Sequence, residues 1–164
     1  MGIRKILKKG DISLKKKSRP ITEYNARLQI LLNDMRDTLA EANGVGLAAP
    51  QVGVLRRVVI VADVSGEEPV IYELVNPEIV SEEGEQIGPE GCLSLPNIWG
   101  IVTRPEKVRV RAFDRNGQEF ELEAEGLLAR ACCHEIDHLN GILFDSLADR
   151  FLSDEEIEKM SGEE

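Results

Sequence analysis

The chain's only two histidines fall within five residues, His134-Glu135-Ile136-Asp137-His138, and that spacing predicts a metal-binding helix. Residues four apart on a helix share one face, with Cβ atoms about 5–6 Å apart, so two imidazoles can hold one metal ion. Glu135, beside the first ligand, can take a proton from a metal-bound water. The pattern points to a metal hydrolase.

A catalytic site of this kind needs a third protein ligand and one open position. No histidine remains, so the third ligand is Asp, Glu or Cys. The continuation His138-Leu139-Asn140-Gly141-Ile142-Leu143-Phe144 places Phe144 where one large family has a third histidine, and phenylalanine cannot ligate. A downstream carboxylate would have to come from Glu155, Glu156 or Glu158, in an acidic tail that reads as solvated. Cys92, in Glu90-Gly91-Cys92-Leu93-Ser94-Leu95-Pro96, is the better candidate, in a segment that reads as a short strand ended by Pro96. The other cysteines, Cys132 and Cys133, precede the first histidine off its face and read as buried core thiols. Three cysteines without a signal sequence argue for reduced thiols and against a disulfide framework.

Three segments resemble, in order, the motifs of the peptide deformylases: Gly44-Val45-Gly46-Leu47-Ala48-Ala49-Pro50-Gln51, then Glu90-Gly91-Cys92-Leu93-Ser94, then His134-Glu135-Ile136-Asp137-His138. The similarity runs from about residue 3 to about residue 149. It implies a hydrolase that removes the N-formyl group from the N-terminal formylmethionine of nascent polypeptides and releases formate. It implies that Cys92, His134 and His138 bind one divalent metal, Fe²⁺ first, with Zn²⁺ or Ni²⁺ able to replace it. A metal-bound water would attack the formyl carbon with Glu135 as general acid/base. The Gln51 amide and the Leu93 backbone N–H would polarise the formyl oxygen, because amide hydrolysis passes through an oxyanion that needs fixed donors. By ligand chemistry alone, one thiolate and two imidazoles would suit zinc first.

Leu127, Ala131, His134 and His138 share one helix face, so the metal face continues into an apolar wall against which a methionine side chain could lie. Val45 is a candidate second wall. Gly46 and Gly91 would let an extended peptide pass beside the site. Trp99 reads as packing or as a peptide contact, and Arg104 as a contact to the peptide backbone or a surface cation.

The length of 164 residues suits one catalytic domain, here residues 1–164. The expected fold class is α+β, with mostly antiparallel sheets packed around the central helix. Periodicity predicts a helix over 24–42, strands over 57–63, 70–75, 107–114 and 119–124, the metal helix over 126–139 and a terminal helix over 154–160. Asn116-Gly117 signals a hairpin. The first twenty residues are basic and resemble the family's first strand and loop. The formal net charge of −10, with acids concentrated at 82–90 and 149–164, disfavours DNA and general nucleic-acid binding. No apolar run is long enough to span a membrane or form a signal peptide, so a cytoplasmic protein without a membrane partner is expected. Its partners would be formylmethionyl peptides and nascent chains near the ribosome, with no salt-sensitive docking through the acidic tail. The competing readings are a zinc peptidase and a non-catalytic relative, and the presence of both Gln51 and Glu135 argues against the second.

Overall fold

The computed structural model describes residues 2–162; Met1, Glu163 and Glu164, the last two acids of the tail, lie outside the described residues. Helix α1 (Ala26–Ala42) starts at Asn25, whose side chain accepts from the Leu28 N–H at 3.2 Å. It ends at Asn43 in the left-handed conformation, with φ at 57°. Strands β1 (Gly46–Ala48) and β2 (Val58–Asp63) follow, then the long β3 (Val70–Glu83). The strands β4 (Gln86–Cys92), β5 (Leu95–Arg104), β6 (Lys107–Phe113) and β7 (Glu119–Glu125) lead into helix α2 (Leu127–Leu139). A two-residue β8 (Arg150–Phe151) and helix α3 (Asp154–Gly162) complete the chain.

One antiparallel sheet has the order β1-β2-β3-β6-β7, and a second has β4-β5-β8. Strand β2 explains how two helices use the first sheet. Val58 and Ile60 pack with Leu28, Leu32 and Met35 of α1, while Val59 and Val61 pack with Ala131, Cys132 and Ile136 of α2. Period-two alternation in a strand buried on both faces therefore sets α1 on one face of this sheet and α2 on the other. Strands β6 and β7 alternate differently, burying Val108, Val110, Leu122 and Ala124 and exposing Arg109, Glu121 and Glu123. Their hairpin closes over Asp114–Gln118, and Gly117 alone in that loop takes the left-handed region, at φ 84°.

Two differences from the sequence-based expectation have physical causes. Strand β3 does not stop at Val75, because a bulge absorbs Asn76-Pro77, and the Asn76 amide bonds both backbone groups of Ile21, at 2.8 and 2.9 Å. Pro96 does not end the strand that carries Cys92. Cys92 itself ends β4, a tight turn at Leu93-Ser94 follows, and Pro96 lies inside β5. The register jumps from Gly91–Trp99 to Cys92–Leu95, so 96–98 bulge outward around Asn97, with φ at 66°. The N-terminal segment forms no strand; residues 12–15 make one 3₁₀ turn, and Asp11 Oδ1 accepts from the Ser13 N–H at 3.0 Å.

Candidate metal centre

Helix α2 is buried on nearly every side, which is why so short a helix carries so many apolar residues. The chain crosses its C-terminal end: Leu139 O accepts from the Ser18 N–H at 2.8 Å and from Arg57 Nη1 at 3.1 Å. A Cβ on Gly141 would stand 2.4 Å from Lys15 O, so only glycine allows this crossing. The helix is thereby pinned, and its two histidines stand in the interior.

His134 Nε2 and His138 Nε2 are 3.3 Å apart, and His138 Nε2 is 3.3 Å from Cys92 Sγ. The three donor atoms lie within 4.8 Å of one another, and this is the one such cluster found among the described residues. Glu155, Glu156 and Glu158 sit exposed on α3 and do not join it. Cys132 and Cys133 are buried, and burial pushes both thiols up to about 12, as core thiols require.

The electrostatics suit a cation. Burial opposes a charge on His134, yet Glu135, Cys92 and Glu90 together draw its pKa well above the usual value. Burial and then the neighbouring His134 push His138 well below it. Glu90 Oε2 is 2.6 Å from His134 Nδ1, which assigns the proton to Nδ1 and turns the Nε2 lone pair toward Cys92 and His138. Two facing imidazole nitrogens and a sulfur, in a pocket that favours positive charge, fit a divalent ion.

Glu135 is 4% exposed, and its Oε1 has no partner among the described residues. Burial raises its pKa to about 7, against the pull of His134 and Arg104. Its Oε2 lies over Gly46, where a Cβ would stand only 2.6 Å away. Gly46 thus makes room for this carboxyl. Gln51 is buried as well. Its Oε1 accepts from the Ala48 N–H at 3.0 Å, so its NH₂ faces Ser94 Oγ at 3.1 Å and Cys92 Sγ at 3.6 Å. The Leu93 turn is held by Lys8 Nζ on Leu93 O at 3.1 Å.

The wall residues differ among themselves. Ala131 is buried and Val45 packs against the same core, but Leu127, the first residue of α2, is half exposed. Trp99 packs across Gly91, its ring 2.9 Å from where a Cβ would be. Arg104 is neither a surface cation nor a reaching side chain. It is buried, with Nε and Nη2 on Glu90 at 3.0 and 2.6 Å and Nη1 on Asp137 at 2.7 Å. Burial works against its charge, but Glu90 and Asp137 hold its pKa above the usual value. Conversely, burial would raise Glu90, yet His134 and Arg104 keep it down at about 2. Sequence reasoning missed the supporting role of Glu90, although it adjoins the Cys92 motif, and that of Ser94, whose hydroxyl meets Gln51.

Comparison with known proteins agrees with this geometry. The profile of the family described as polypeptide deformylase matches residues 3–151. The chain is 59% identical to the peptide deformylase of Caldicellulosiruptor bescii, over 97% of this chain and 93% of that protein. It is 46% identical to peptide deformylase 1 of Bacillus subtilis, over 99% and 100%. The crystal structure of a peptide deformylase from Legionella pneumophila superposes with a TM-score of 0.84 at 45% identity, covering 98% of this chain and 96% of that one. A Met-Ala-Ser-bound class I type b peptide deformylase from Acinetobacter baumannii gives 0.84 at 37% identity, over 90% and 99%.

Proposed function

The chain belongs to the peptide deformylase family, and from that premise we propose which of its residues perform the reaction. The family's members are metal-dependent hydrolases that remove the N-formyl group from nascent peptides. We propose that Cys92 Sγ, His134 Nε2 and His138 Nε2 hold the metal. The observation that carries this is the convergence of these three donors beside a buried carboxyl and a fixed amide.

The metal, when bound, supplies Lewis acidity, which polarises an oxygen and makes a nucleophile available near neutral pH. Glu135 takes the proton of the attacking water at its unpartnered Oε1 and returns it to the departing amine nitrogen. A carboxyl near pKa 7 can do both. Gln51 Nε2 and the Leu93 N–H donate to the formyl oxygen as it gains charge. Each such donor contributes about 3 kcal/mol in comparable sites. Ala48 and Ser94 fix the Gln51 amide plane, and the N–H that faces Cys92 Sγ at 3.6 Å is the one that turns to the formyl oxygen.

For the substrate, Val45, Leu127 and Ala131 form the wall for the methionine side chain, with Leu127 at its solvent rim. Gly46 and Gly91 border the peptide path: β1 and β4 are both sheet edges, and Gly44 lies against Leu93. The Met-Ala-Ser peptide bound to the Acinetobacter relative supports a ligand that begins with methionine. We assign iron as the metal, a cytoplasmic location, a single catalytic domain and nascent chains at the ribosome as substrate. Family membership supports these assignments, and no helix among the described residues is long and apolar enough to cross a membrane. The test is to offer formyl-Met-Ala-Ser and Met-Ala-Ser side by side. Formate release from the first with no cleavage of the second supports the reading; cleavage of the unformylated peptide bonds would replace it with a peptidase.

A further inference from the structure

Arg130 lies four residues before His134 on α2, so both side chains project from the same face one turn apart. It is 6% exposed, an unusual setting for a guanidinium on a helix that otherwise buries apolar residues. Two of its donors are committed: Nη1 reaches Glu90 Oε1 at 2.9 Å and Nη2 reaches Val102 O at 3.1 Å. Glu90 comes from β4, two residues before Cys92, and its other oxygen holds His134 Nδ1. Gly88 on the same strand lies against the guanidinium, since a Cβ there would be in ordinary contact with Nη2, at 3.6 Å.

We infer that Arg130 is a positioning residue for His134 and Cys92, acting through Glu90. The ligands come from two elements, α2 and β4, which must be held at one separation for a metal to be bound well. Arg104 also links Glu90 to α2, but it does so from β5 and at Asp137, three residues beyond His134. Arg130 closes a ring instead. Two side chains one helical turn apart grip the two oxygens of one carboxylate, Arg130 on Oε1 and His134 on Oε2. Its second bond, to Val102 O, ties β5 to the same point. Arg130 also brings a second buried cation to a cluster whose other members are Glu90, Arg104 and Asp137, so the carboxylate orients the imidazole without leaving uncompensated negative charge behind it.

The inference rests on the ligand set proposed above. The test measures Co²⁺ affinity by competition with a chromophoric chelator, together with the visible thiolate-to-Co²⁺ band, on Arg130→Met, Arg130→Lys and Cys92→Ala. Arg130→Met should bind Co²⁺ about 10–100-fold more weakly, with an altered band, as losses of outer partners of metal ligands do. Arg130→Lys should fall between, since one ammonium cannot span Glu90 and Val102 as a planar fork does. A purely structural role would lower the melting temperature of the metal-free protein and leave affinity and band unchanged. That result overturns the inference. If Arg130→Met fails to fold, Arg130→Lys decides alone by the same criterion. Cys92→Ala separates the premises: retention of the thiolate band there would remove the ligand set itself, whereas its loss beside a normal Arg130→Met would remove only the role of Arg130.

Discussion

Glu135 and Gln51 are both buried, yet Glu135 leaves Oε1 without a partner among the described residues and Gln51 turns its Nε2 toward Cys92 Sγ. For Glu135 the unpartnered Oε1 is costly in folding terms, and a proton-transfer role accounts for it. Glu135→Gln keeps the shape and removes the base, so formate release should fall by about 10²–10⁴-fold with metal content unchanged. Wild-type turnover by that variant would refute the assignment. Gly46→Ala tests the geometry separately. Its new Cβ would displace the Glu135 carboxyl, and a shift of about 1 Å at a reacting group costs on the order of 10²-fold in rate. Metal content should stay near wild type, since the atoms the new Cβ meets first belong to Glu135 and not to a proposed ligand. The roles proposed for the two histidines and Glu135 rest on a pattern legible in sequence, because helix period and ligand spacing coincide in one short segment. Gln51 and Leu93 were readable only through resemblance, because a polar loop residue and a backbone N–H leave no signature of their own. Arg104 was misread because its partners come from β4 and α2, which meet only in the folded chain.

At the scale of elements, α1, β2, β6, β7 and α2 follow from periodicity, since each has one regular apolar face or a continuous apolar run. Strands β4 and β5 were read only as one short strand ended by Pro96, because Gly88, Pro89, Gly91, Pro96 and Gly100 carry low strand propensity. Their positions explain the tolerance. Strand β4 is an edge, where a proline removes no ladder donor, and Gly91 gives Trp99 its place. The joint between α1 and the first sheet includes a carboxylate shared by two arginines: Glu73 meets Arg36 Nε at 2.5 Å and Arg115 at 2.5 and 2.9 Å. Burial alone would raise Glu73, but the two guanidiniums hold its pKa below the usual value. A depressed carboxylate stabilises the fold above its unfolded pKa, and the contribution fades as pH falls through the folded value. Glu73→Gln should therefore cost about 1 kcal/mol at pH 7, and the difference should shrink below about pH 4.5. A pH-independent difference in urea unfolding would contradict that origin.

Over the whole molecule, charge is divided unevenly along the chain. Residues 1–57 carry twelve Lys and Arg against five Asp and Glu, and residues 58–164 carry eight against twenty-five. The basic segment wraps the end of α2, while β7 and α3 carry eight of the later segment's acids, all of them exposed. The proposed metal ligands join α2, which packs on the first sheet, to β4 of the second, so metal binding should stabilise both together. A ligand that binds only the folded state at 100 times its dissociation constant adds about 2.7 kcal/mol. For a chain of this size that is about 5–10 °C in Tm, to be seen by calorimetry before and after chelation. An unchanged Tm would mean that the two sheets are not coupled through the site. If the metal is Fe²⁺, activity should also decay in air as the thiolate or the iron oxidises.

The most direct measurement is metal content and formate release together, on protein purified without oxygen, for the wild type and Cys92→Ala. About one metal per chain with rapid release from a formyl-Met tripeptide, both lost in Cys92→Ala, is the predicted result. Full metal content and turnover in Cys92→Ala would show that the third ligand, and with it the proposed site, lies elsewhere.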